Sequence, residues 1–398
     1  MRAYKFRIYP SKKQQKKLQN NFDVCKDAYN FLLCKCNESY KNSHKSLNNR
    51  IELNKLIKKF KNDNPKSSDV YSQVLQDTRN RLIKSYQNFF RRVKNKNCKE
   101  KGFPRFKGNV KSITYPQNNG SFKIENKRLS VSKIGNIPII KHREIKGKIK
   151  TLTIKRNKSS QYFAIFCCEE FSIKKTKTRG SIGIDVGLEK FATLSNGEII
   201  ENPRCLLNSE KRLIKLHRKL SRKKRGSNNR LKSKLKLARH YQKIENQRMD
   251  FLHKITSDLS KTYRICKVED LKIQNMMKNH HLAKSIADAS WGTFVNMLSY
   301  KVVTNGGQLI KVEPKYTSQT CSNCGRRVKI SLSKRIFICE CGLKINRDLN
   351  ASININGRDG LSQTYTLVGD CVRPSKKAVV DEARTIFHGS MIGSPHHL

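Results

Sequence analysis

Three carboxylates occur within or beside apolar segments of this sequence. Asp185 lies inside the stretch "IGIDVG", Glu269 ends the stretch "RICKVEDL", and Asp348 begins a predicted helix. An unpaired buried carboxylate is energetically costly, so each of these groups needs a cation or hydrogen bonds. Taken singly, Asp348 is equally explained as a charge at a helix N-terminus, and Asp185 and Glu269 as turn residues at strand ends.

Taken together, the three acids favour a catalytic metal site. In an RNase H-like fold the first strand, a later strand and a late helix each bring one carboxylate to a common point. Such a trio holds two divalent cations about 4 Å apart, of which one activates water and the other stabilises the leaving oxygen of a phosphodiester. A basic chain with Asp185, Glu269 and Asp348 in this order is therefore a candidate nuclease, and the two divalent cations are expected to be Mg²⁺.

A second metal site is indicated by four cysteines in the stretch "CSNCG…CECG". The first pair has the C-x2-C spacing of a zinc knuckle, the second pair is one residue shorter, and a glycine follows each pair. Two close pairs on two turns supply four thiolates in a tetrahedron, the usual arrangement around structural zinc. The alternative is four buried cysteines without a metal. The sequence predicts that structural Zn²⁺ is bound by Cys321, Cys324, Cys339 and Cys341.

The composition indicates a nucleic-acid partner. The 398 residues include 85 Lys and Arg against 30 Asp and Glu, a formal net charge of +55. A charge of this size repels itself in a compact fold unless a polyanion neutralises it. No apolar run of about 18 residues, signal peptide or lipidation motif is visible, so no membrane association is expected. Of the 13 cysteines, the nine outside the four-cysteine segment are scattered, which indicates reduced thiols in a cytoplasm. With a nucleic-acid partner, we expect the protein to be nucleoid-associated.

The densest positive charge lies between residues 211 and 248, which hold sixteen basic residues and one acid. A solvated helical face usually mixes both signs, so this stretch favours contact with nucleic acid over an ordinary exposed face. The candidate contacts, here and in the segment "FPRFKG", are Arg218, Arg222, Lys223, Lys224, Arg225, Arg230, Arg105 and Lys107. Two roles, in the core or stacked on nucleotides, are open to the aromatic residues Tyr4, Phe6, Phe103 and Phe106, and the core is favoured for most of them.

The elements that hold these residues follow from hydrophobic periodicity. The stretch "YKFRI" alternates apolar and basic residues, which predicts a half-buried strand near the N-terminus. Residues 11–97 carry apolar residues at helical spacing. Residues 103–173 consist instead of short β-type runs separated by Gly, Asn and Pro. We therefore expect a small barrel or sandwich that is interrupted by a helical insertion.

Strands and helices alternate in the second half of the chain. The predicted strands are "SIGIDV", "FATL", "YRICKVEDL" and "QLIKVEP", and the predicted helices cover residues 206–260, residues 285–301 and a segment that begins near Asp348. Residues 356–398 carry a net charge of only +1, so the charge that binds a polyanion lies before them. We expect this tail to be partly disordered.

Four motifs in this order resemble the TnpB (OrfB) family encoded by bacterial and archaeal insertion sequences, relatives of the type V CRISPR effectors. They are "GIDVG", "VEDL", "TSQTCSNCG…CECG" and "NRDLNASINI". "MRAYKFRIYP" and "FPRFKG" resemble N-terminal segments of the same family, and the resemblance extends over residues 1–356. One departure is Asn346, where the family often has the first Asp of an Asp-Arg-Asp sequence; the acid before "LNAS" is retained.

The resemblance implies an RNA-guided, Mg²⁺-dependent DNA endonuclease of a transposable element. It would cleave double-stranded DNA that matches a guide RNA from the element's own end, beside a short target-adjacent motif, without a protein partner. Carried over by motif, the catalytic and Mg²⁺-binding acids are Asp185, Glu269 and Asp348. Two alternatives stay open. A nuclease-silent, RNA-guided DNA-binding regulator has no need of three acids, whereas a strand-joining transposase shares the metal fold.

The implied architecture is a multidomain α+β chain. An N-terminal β barrel, or wedge domain, comprises residues 1–10 and 101–175, and a helical recognition domain at residues 11–100 interrupts it. An RNase H-like (RuvC) α/β nuclease domain comprises residues 180–317 and 343–356, with the zinc-binding insert at 318–342 and a tail at 357–398. The knuckle would then end where the last helix delivers Asp348, and folding of the zinc site would fix where that helix begins.

Overall fold

The computed structural model describes residues 1–43, 49–95, 101–116, 120–169, 180–331 and 334–358. The chain folds into two compact units, Met1–Phe171 and Ser172–Leu398. From residue 359 on, the predicted tail lies outside the described residues.

In its described residues, the first unit combines three α-helices with an antiparallel sheet. Its helices follow the first strand, and the other six strands follow the helices: β1 Arg2–Ile8, α1 Lys12–Ser43, α2 Arg50–Asp63, α3 Ser72–Lys94, β2 Ser112–Tyr115, β3 Phe122–Glu125, β4 Arg128–Val131, β5 Gly135–Ile140, β6 Lys148–Arg156 and β7 Tyr162–Glu169. The sheet order is β2-β6-β7-β1-β5-β4-β3. A 3-10 turn that begins at Pro65 separates α2 from α3.

The strand predicted at the N-terminus is confirmed. Tyr4, Phe6 and Ile8 point into the core, where each is at most 2% exposed. β1 pairs with both β5 and β7, so it joins the sheet across the intervening helices. Helices and strands of this unit contribute to one hydrophobic core. Within the described ranges no pairing joins the edge strands β2 and β3, and closure into a barrel stays a prediction.

The second unit is built around a mixed five-stranded sheet. Its elements are β8 Ser181–Val186, β9 Lys190–Leu194, β10 Ile199–Glu201, α4 Cys205–Ser221, α5 Asn228–Thr262, β11 Ile265–Glu269, α6 Ile273–Met276, α7 His280–Ala289, α8 Trp291–Thr304, β12 Gln308–Val312, β13 Ile336–Ile338, β14 Lys344–Asn346 and α9 Arg347–Gly357. The sheet order is β10-β9-β8-β11-β12. β8, β11 and β12 are parallel, β9 runs antiparallel to β8, and β13 and β14 form a separate ribbon.

The long hairpin of α4 and α5 is anchored by one carboxylate. Asp288 accepts hydrogen bonds from the backbone N–H of Leu206, in the first turn of α4, and pairs with Arg248 of α5 at 2.7 Å. Asp288 thereby accepts from a free backbone N–H at the start of α4 and neutralises a guanidinium of α5.

No helix in the described part of the chain, α5 included, is both long and apolar enough to cross a membrane.

The two faces of β8 meet different partners. Ile182 and Ile184 belong to the core that contains Trp291 and Phe294 of α8. Side chains alternate along a strand, so Gly183 and Asp185 face the opposite side, where α9 packs. A Cβ atom on Gly183 would lie 2.0 Å from the backbone oxygen of Ser352 in α9. Only glycine permits this approach.

Replacing Gly183 by Ala should destabilise the second unit. The added methyl group meets helix backbone rather than a movable side chain, so α9 must shift, and we expect a loss of about 2 kcal/mol or more in the free energy of unfolding. Denaturant unfolding measures this loss. The control is Gly292→Ala in α8, where the nearest atom to the new Cβ is the side-chain Cδ1 of Ile273 at 3.5 Å. That variant should be neutral or slightly more stable, and equal stability of the two variants would contradict the proposed contact.

Candidate active site and cysteine metal centre

Two of the predicted acids lie side by side at the edge of the parallel strands. β8 and β11 pair in parallel with Val268 opposite Ile184, which places Glu269 next to Asp185. Cys266 and Val268 are buried in the α8 core, so Glu269 faces the other side, as Asp185 does. Both side chains are half-buried. The parallel pairing thus brings two carboxylates to the face that α9 covers.

The third acid, Asp348, reaches this face through α9. It lies in the first turn of the helix and is 26% exposed. Asn346 is the N-cap, and its Oδ1 accepts hydrogen bonds from the backbone N–H groups of Asp348 and Leu349. At the other end, Lys267 Nζ of β11 donates to the C-cap carbonyl of Arg358 at 2.8 Å. Both ends of α9 are therefore fixed, and the side-chain amide of Asn346 serves as a helix cap.

The three carboxylates influence one another electrostatically. Burial raises the pKa of Asp185 well above its usual range, and the charges of Glu269 and Asp348 raise it further, against a smaller lowering by Arg347. Burial also raises the pKa of Glu269, whereas a hydrogen bond from Thr317 and the charge of Arg358 lower it. Ionised carboxylates crowded in this way repel each other unless a cation joins them.

The protein itself supplies little compensating charge at this point. Among the described residues no Lys, Arg or His nitrogen lies within 4.0 Å of the carboxylates of Asp185 or Glu269, and Asp348 has Arg347 Nε at 3.8 Å. Clustered carboxylate oxygens are the ligands that Mg²⁺ prefers. The three acids do not form a set whose ligand atoms all lie within 4.8 Å of one another.

Thr317 orients the second acid. Its Oγ1 donates to Glu269 Oε1 at 2.6 Å, and the residue is 4% exposed. A short hydrogen bond to a carboxylate holds one oxygen and leaves the other available. Thr317 is the first residue of the motif "TSQTCSNCG", but nothing in the sequence indicated its contact with Glu269.

Two asparagines of α9 bind the loop that carries Thr317. Asn354 Nδ2 donates to the carbonyls of Thr317 and Thr320, and Asn350 accepts from Ser322 N and donates to Thr320 O. The asparagines are four residues apart, so they share one face of the helix. The loop runs directly into Cys321, and the cysteine segment is thereby tied to the helix that carries Asp348. The spacing in "NRDLNASINI" is the one signal from which this face could have been inferred.

The four cysteines predicted as metal ligands come together. All four Sγ atoms lie within 4.8 Å of one another, with Cys321 and Cys341 at 3.7 Å and Cys324 and Cys339 at 3.6 Å. A tetrahedron with Zn–S bonds of about 2.3 Å has S–S edges of roughly 3.8 Å. The thiols therefore fit a tetrahedral metal ion, and the short C-x-C pair does not prevent this geometry.

Local structure shifts the thiol pKa values of this cluster in opposite directions. The backbone N–H of Cys341 lowers the pKa of Cys339, but burial and hydrogen bonds with the neighbouring thiols outweigh it and raise that pKa to about 12. The backbone N–H of Leu343 lowers the pKa of Cys341 to about 6. The glycines after the two pairs have φ of +74° at Gly325 and +89° at Gly342, a conformation that lets each turn close around its sulfur atoms. Phe337, which is fully buried, packs beneath them with a few half-buried neighbours. Few apolar side chains are therefore buried in this part of the chain.

The basic candidates lie in two different places. Near the tip of the α4–α5 hairpin, five of them are exposed: Arg218, Arg222, Lys223, Lys224 and Arg225. Arg230 is half-buried instead, and its Nη1 donates to the carbonyls of Leu220 and Lys223 at 2.9 Å each. Arg230 thus braces the turn between the helices. Arg105 and Lys107 are exposed and belong to the first unit.

Three family models match this chain. The OrfB model of IS605, described as "Probable transposase", matches residues 165–280, and the Cas12f1-like TNB domain matches residues 291–355. An OrfB model described as a helix-turn-helix domain matches residues 1–45, where the structure has β1 and the single helix α1.

Curated relatives cover almost the whole chain. A protein of Escherichia coli K12 named "Putative RNA-guided DNA endonuclease InsQ" is 33% identical over 89% of this chain and 91% of its own length. A Streptomyces pristinaespiralis protein named "Putative RNA-guided DNA endonuclease" is 30% identical over 95% of this chain and 93% of its own length. A "TnpB-like protein" of Acanthamoeba polyphaga mimivirus is 24% identical over 88% of this chain and 72% of its own.

The structure of a Cas12f1–sgRNA–target DNA complex was also found. Its protein chain aligns over 98% of its length with 89% of this chain, at a TM-score of 0.47 and 14% identity. The sequence relatives settle the assignment, since two of them reach 30% identity or more over nine-tenths of their length. The chain belongs to the TnpB (OrfB) family.

Proposed function

We propose that this protein is an RNA-guided, Mg²⁺-dependent DNA endonuclease. The observation that carries the proposal is the convergence of Asp185, Glu269 and Asp348 on one face, where no Lys, Arg or His nitrogen of the described residues lies within 4.0 Å of the first two carboxylates. The names of the two most similar curated relatives reported above support RNA guidance and DNA cleavage. The family itself does not decide whether a given member has kept its catalytic site, and here the acids are present.

We propose further that the second unit contains an RNase H-like (RuvC) nuclease domain. In support, its sheet has the order expected for that fold: a three-stranded antiparallel meander, β8 to β10, followed by two strands parallel to β8. The acids stand on the first and fourth of these strands and on the last described helix, as the sequence order requires. The division into wedge, recognition, nuclease and zinc-binding parts remains part of this proposal.

In this proposal each residue has a defined task. Asp185, Glu269 and Asp348 would hold Mg²⁺, which when bound supplies a lowered water pKa and charge stabilisation at the leaving oxygen. Thr317 orients Glu269, and Asn346 fixes the start of the helix that presents Asp348. Apolar burial around Asp185 strengthens the attraction between its carboxylate and a cation.

Nucleic acid would be bound by charge and read by base pairing. The exposed tip of the α4–α5 hairpin, with Arg222, Lys223, Lys224 and Arg225, suits phosphate contacts with a guide RNA, drawn from the element's own end, or with a guide–target duplex. Such contacts carry affinity but no sequence information, so the guide RNA would select the double-stranded DNA target next to a short adjacent motif.

The cysteine cluster would hold a structural Zn²⁺ ion. Four thiols at tetrahedral spacing leave no open position for a substrate, which distinguishes a structural from a catalytic zinc site. Through the loop held by Asn350 and Asn354, the metal would support the position of α9.

Replacing Asp185 by Asn should abolish cleavage. The test substrate is a plasmid that matches the guide sequenced from copurified RNA, incubated with Mg²⁺. Loss of one metal ligand should lower the cleavage rate by on the order of a thousandfold or more. Glu269→Gln and Asp348→Asn should behave alike, and double variants should be little worse, because the trio acts as one unit.

The matched control for these variants is Asp270→Asn. Asp270 neighbours Glu269 but pairs with Lys272 and Lys311, and its loss should change the cleavage rate only a few-fold. Binding of the matched DNA should persist in Asp185→Asn at the same salt concentration. If the Asp185→Asn variant cleaves the plasmid at the wild-type rate, the catalytic assignment is refuted. A wild-type protein that binds without cutting would be a regulator, and one that joins strands would be a transposase.

Replacing Cys321 or Cys339 by Ser should remove the structural metal. We expect the zinc content, measured by elemental analysis, to fall from one ion per chain to near zero, and the melting temperature to fall with it. Cys34→Ser is the control, because Cys34 lies outside the cluster, in α1, and should keep full zinc. Unchanged zinc content and melting in both cluster variants would exclude a four-thiolate site.

Replacing Thr317 by Val should weaken cleavage without loss of the fold. Valine has the same shape but cannot donate to Glu269, and a hydrogen bond to a charged group contributes roughly 1.5–3 kcal/mol, so the rate should fall by about tenfold or more. The Mg²⁺ concentration for half-maximal rate should rise. Thr317→Ser should restore both, and Thr320→Val, which removes only a bond to the Tyr316 carbonyl, should leave both unchanged. An unchanged Mg²⁺ requirement in Thr317→Val would contradict the orienting role.

A further inference from the structure

The segment "FPRFKG" has no regular secondary structure but is held at both ends. Arg92 Nη2 of α3 donates to the carbonyl of Gly102 at 2.7 Å. Asn30 of α1 exchanges two hydrogen bonds with the backbone of Lys107, at 2.7 and 3.0 Å. An irregular segment clamped in this way keeps a fixed shape, and residues on such loops often carry binding functions.

A pocket of about 360 Å³ lies between this segment and the two helices. Its volume falls in the range of roughly 300–1,000 Å³ that is usual for small-ligand sites. The lining residues, which we call the FPRFKG pocket, are Tyr29, Ser85, Asn88, Arg92, Gly102, Phe103, Pro104, Arg105 and Lys107. Three of them are cations and none is an acid, so the pocket favours an anion.

One donor of Arg92, a residue that lines the FPRFKG pocket, lacks an acceptor. Arg92 Nε is buried, and within the described part of the chain it has no hydrogen-bond partner, although Nη2 of the same guanidinium holds Gly102. A buried unsatisfied donor is costly unless an acceptor is supplied from outside. A guanidinium edge matches the oxygen geometry of a phosphate.

The aromatic residues of this segment remain exposed. Phe103 is 48% exposed even though its ring contacts Tyr86 and Phe89, and Phe106 is 56% exposed. Tyr4 and Phe6, which the sequence did not distinguish from them, are in the core. Exposed rings between basic residues are the usual platform for an unpaired base.

We propose that the FPRFKG pocket binds one unpaired nucleotide of a bound nucleic acid. Its phosphate would lie against Arg92 and Arg105, and its base against the exposed ring of Phe103 or Phe106. This inference rests on the proposed nucleic-acid-directed function and adds a defined single-nucleotide site in the first unit. RNA and DNA share the chemistry that the pocket recognises, and the test separates them.

The first test is photo-crosslinking of the full-length protein. The probes are two 20-nucleotide single strands of one sequence, an RNA that contains 4-thiouridine and a DNA that contains 4-thiothymidine. After irradiation and proteolysis, mass spectrometry identifies the crosslinked peptides. Adducts on residues 101–108 with either probe support the site and name its ligand as RNA, DNA or both. A third probe is the DNA strand annealed to its complement. Adducts confined to other peptides, or found on residues 101–108 only with this duplex, would overturn the proposal.

The second test measures the salt dependence of binding to the same probes. Arg105→Gln should weaken binding several-fold and reduce the slope of log K against log salt by about one, as for one lost phosphate contact. Arg92→Lys keeps the charge but lacks Nε, so binding should weaken while the salt slope changes little. The control is Lys155→Gln, an exposed cation of β6 outside the pocket lining, which should leave the crosslinks to residues 101–108 unchanged.

Failure of this proposal differs from failure of the nuclease proposal. Wild-type protein that cleaves its matched plasmid but forms no adducts on residues 101–108, with Arg105→Gln binding as wild type, would remove the pocket and leave the nuclease standing. An inactive wild-type protein that forms these adducts would leave the pocket and remove the nuclease.

Discussion

The candidate active site depends on how closely α9 can approach β8. A Cβ atom at Gly183 would lie 2.0 Å from the Ser352 carbonyl, so the backbone of the helix occupies the space that any other side chain would fill. Asp185 is two residues further along the same face, and Asp348 is in the first turn of the same helix. The absence of one side chain therefore decides whether the carboxylates of a strand and a helix can meet.

Polar contacts then hold the helix in register. Asn346 caps its start, Lys267 binds its last carbonyl, and Asn350 and Asn354 fasten it to the loop before Cys321. The same loop carries Thr317, which holds Glu269. The four-cysteine cluster and the acids are in this way parts of one hydrogen-bonded assembly, which explains why the cysteine segment lies between the second and third acid in the sequence. A metal ion bound by the four cysteines would stabilise the geometry of the three carboxylates without taking part in their chemistry.

Features with a local cause could be predicted from the sequence, and features with a tertiary cause could not. The alternation of "YKFRI" is a property of the strand itself, and the cysteine spacing restricts its own geometry, so β1 and the thiol cluster followed from the residues alone. Phe103 and Phe6 are chemically identical, and only packing separates an exposed ring from a core ring. Thr317 and Arg230 resemble many other polar residues until their partners, Glu269 and the hairpin carbonyls, are placed beside them.

The central claim is that Asp185, Glu269 and Asp348 together bind divalent metal. The most direct measurement is anomalous scattering from Mn²⁺ in crystals of the wild-type protein soaked with that ion. We predict anomalous peaks within bonding distance of all three carboxylates, and none at that place in Asp185→Asn crystals. If crystals soaked at saturating Mn²⁺ show anomalous peaks at other acidic residues but none at the three carboxylates, the account is contradicted.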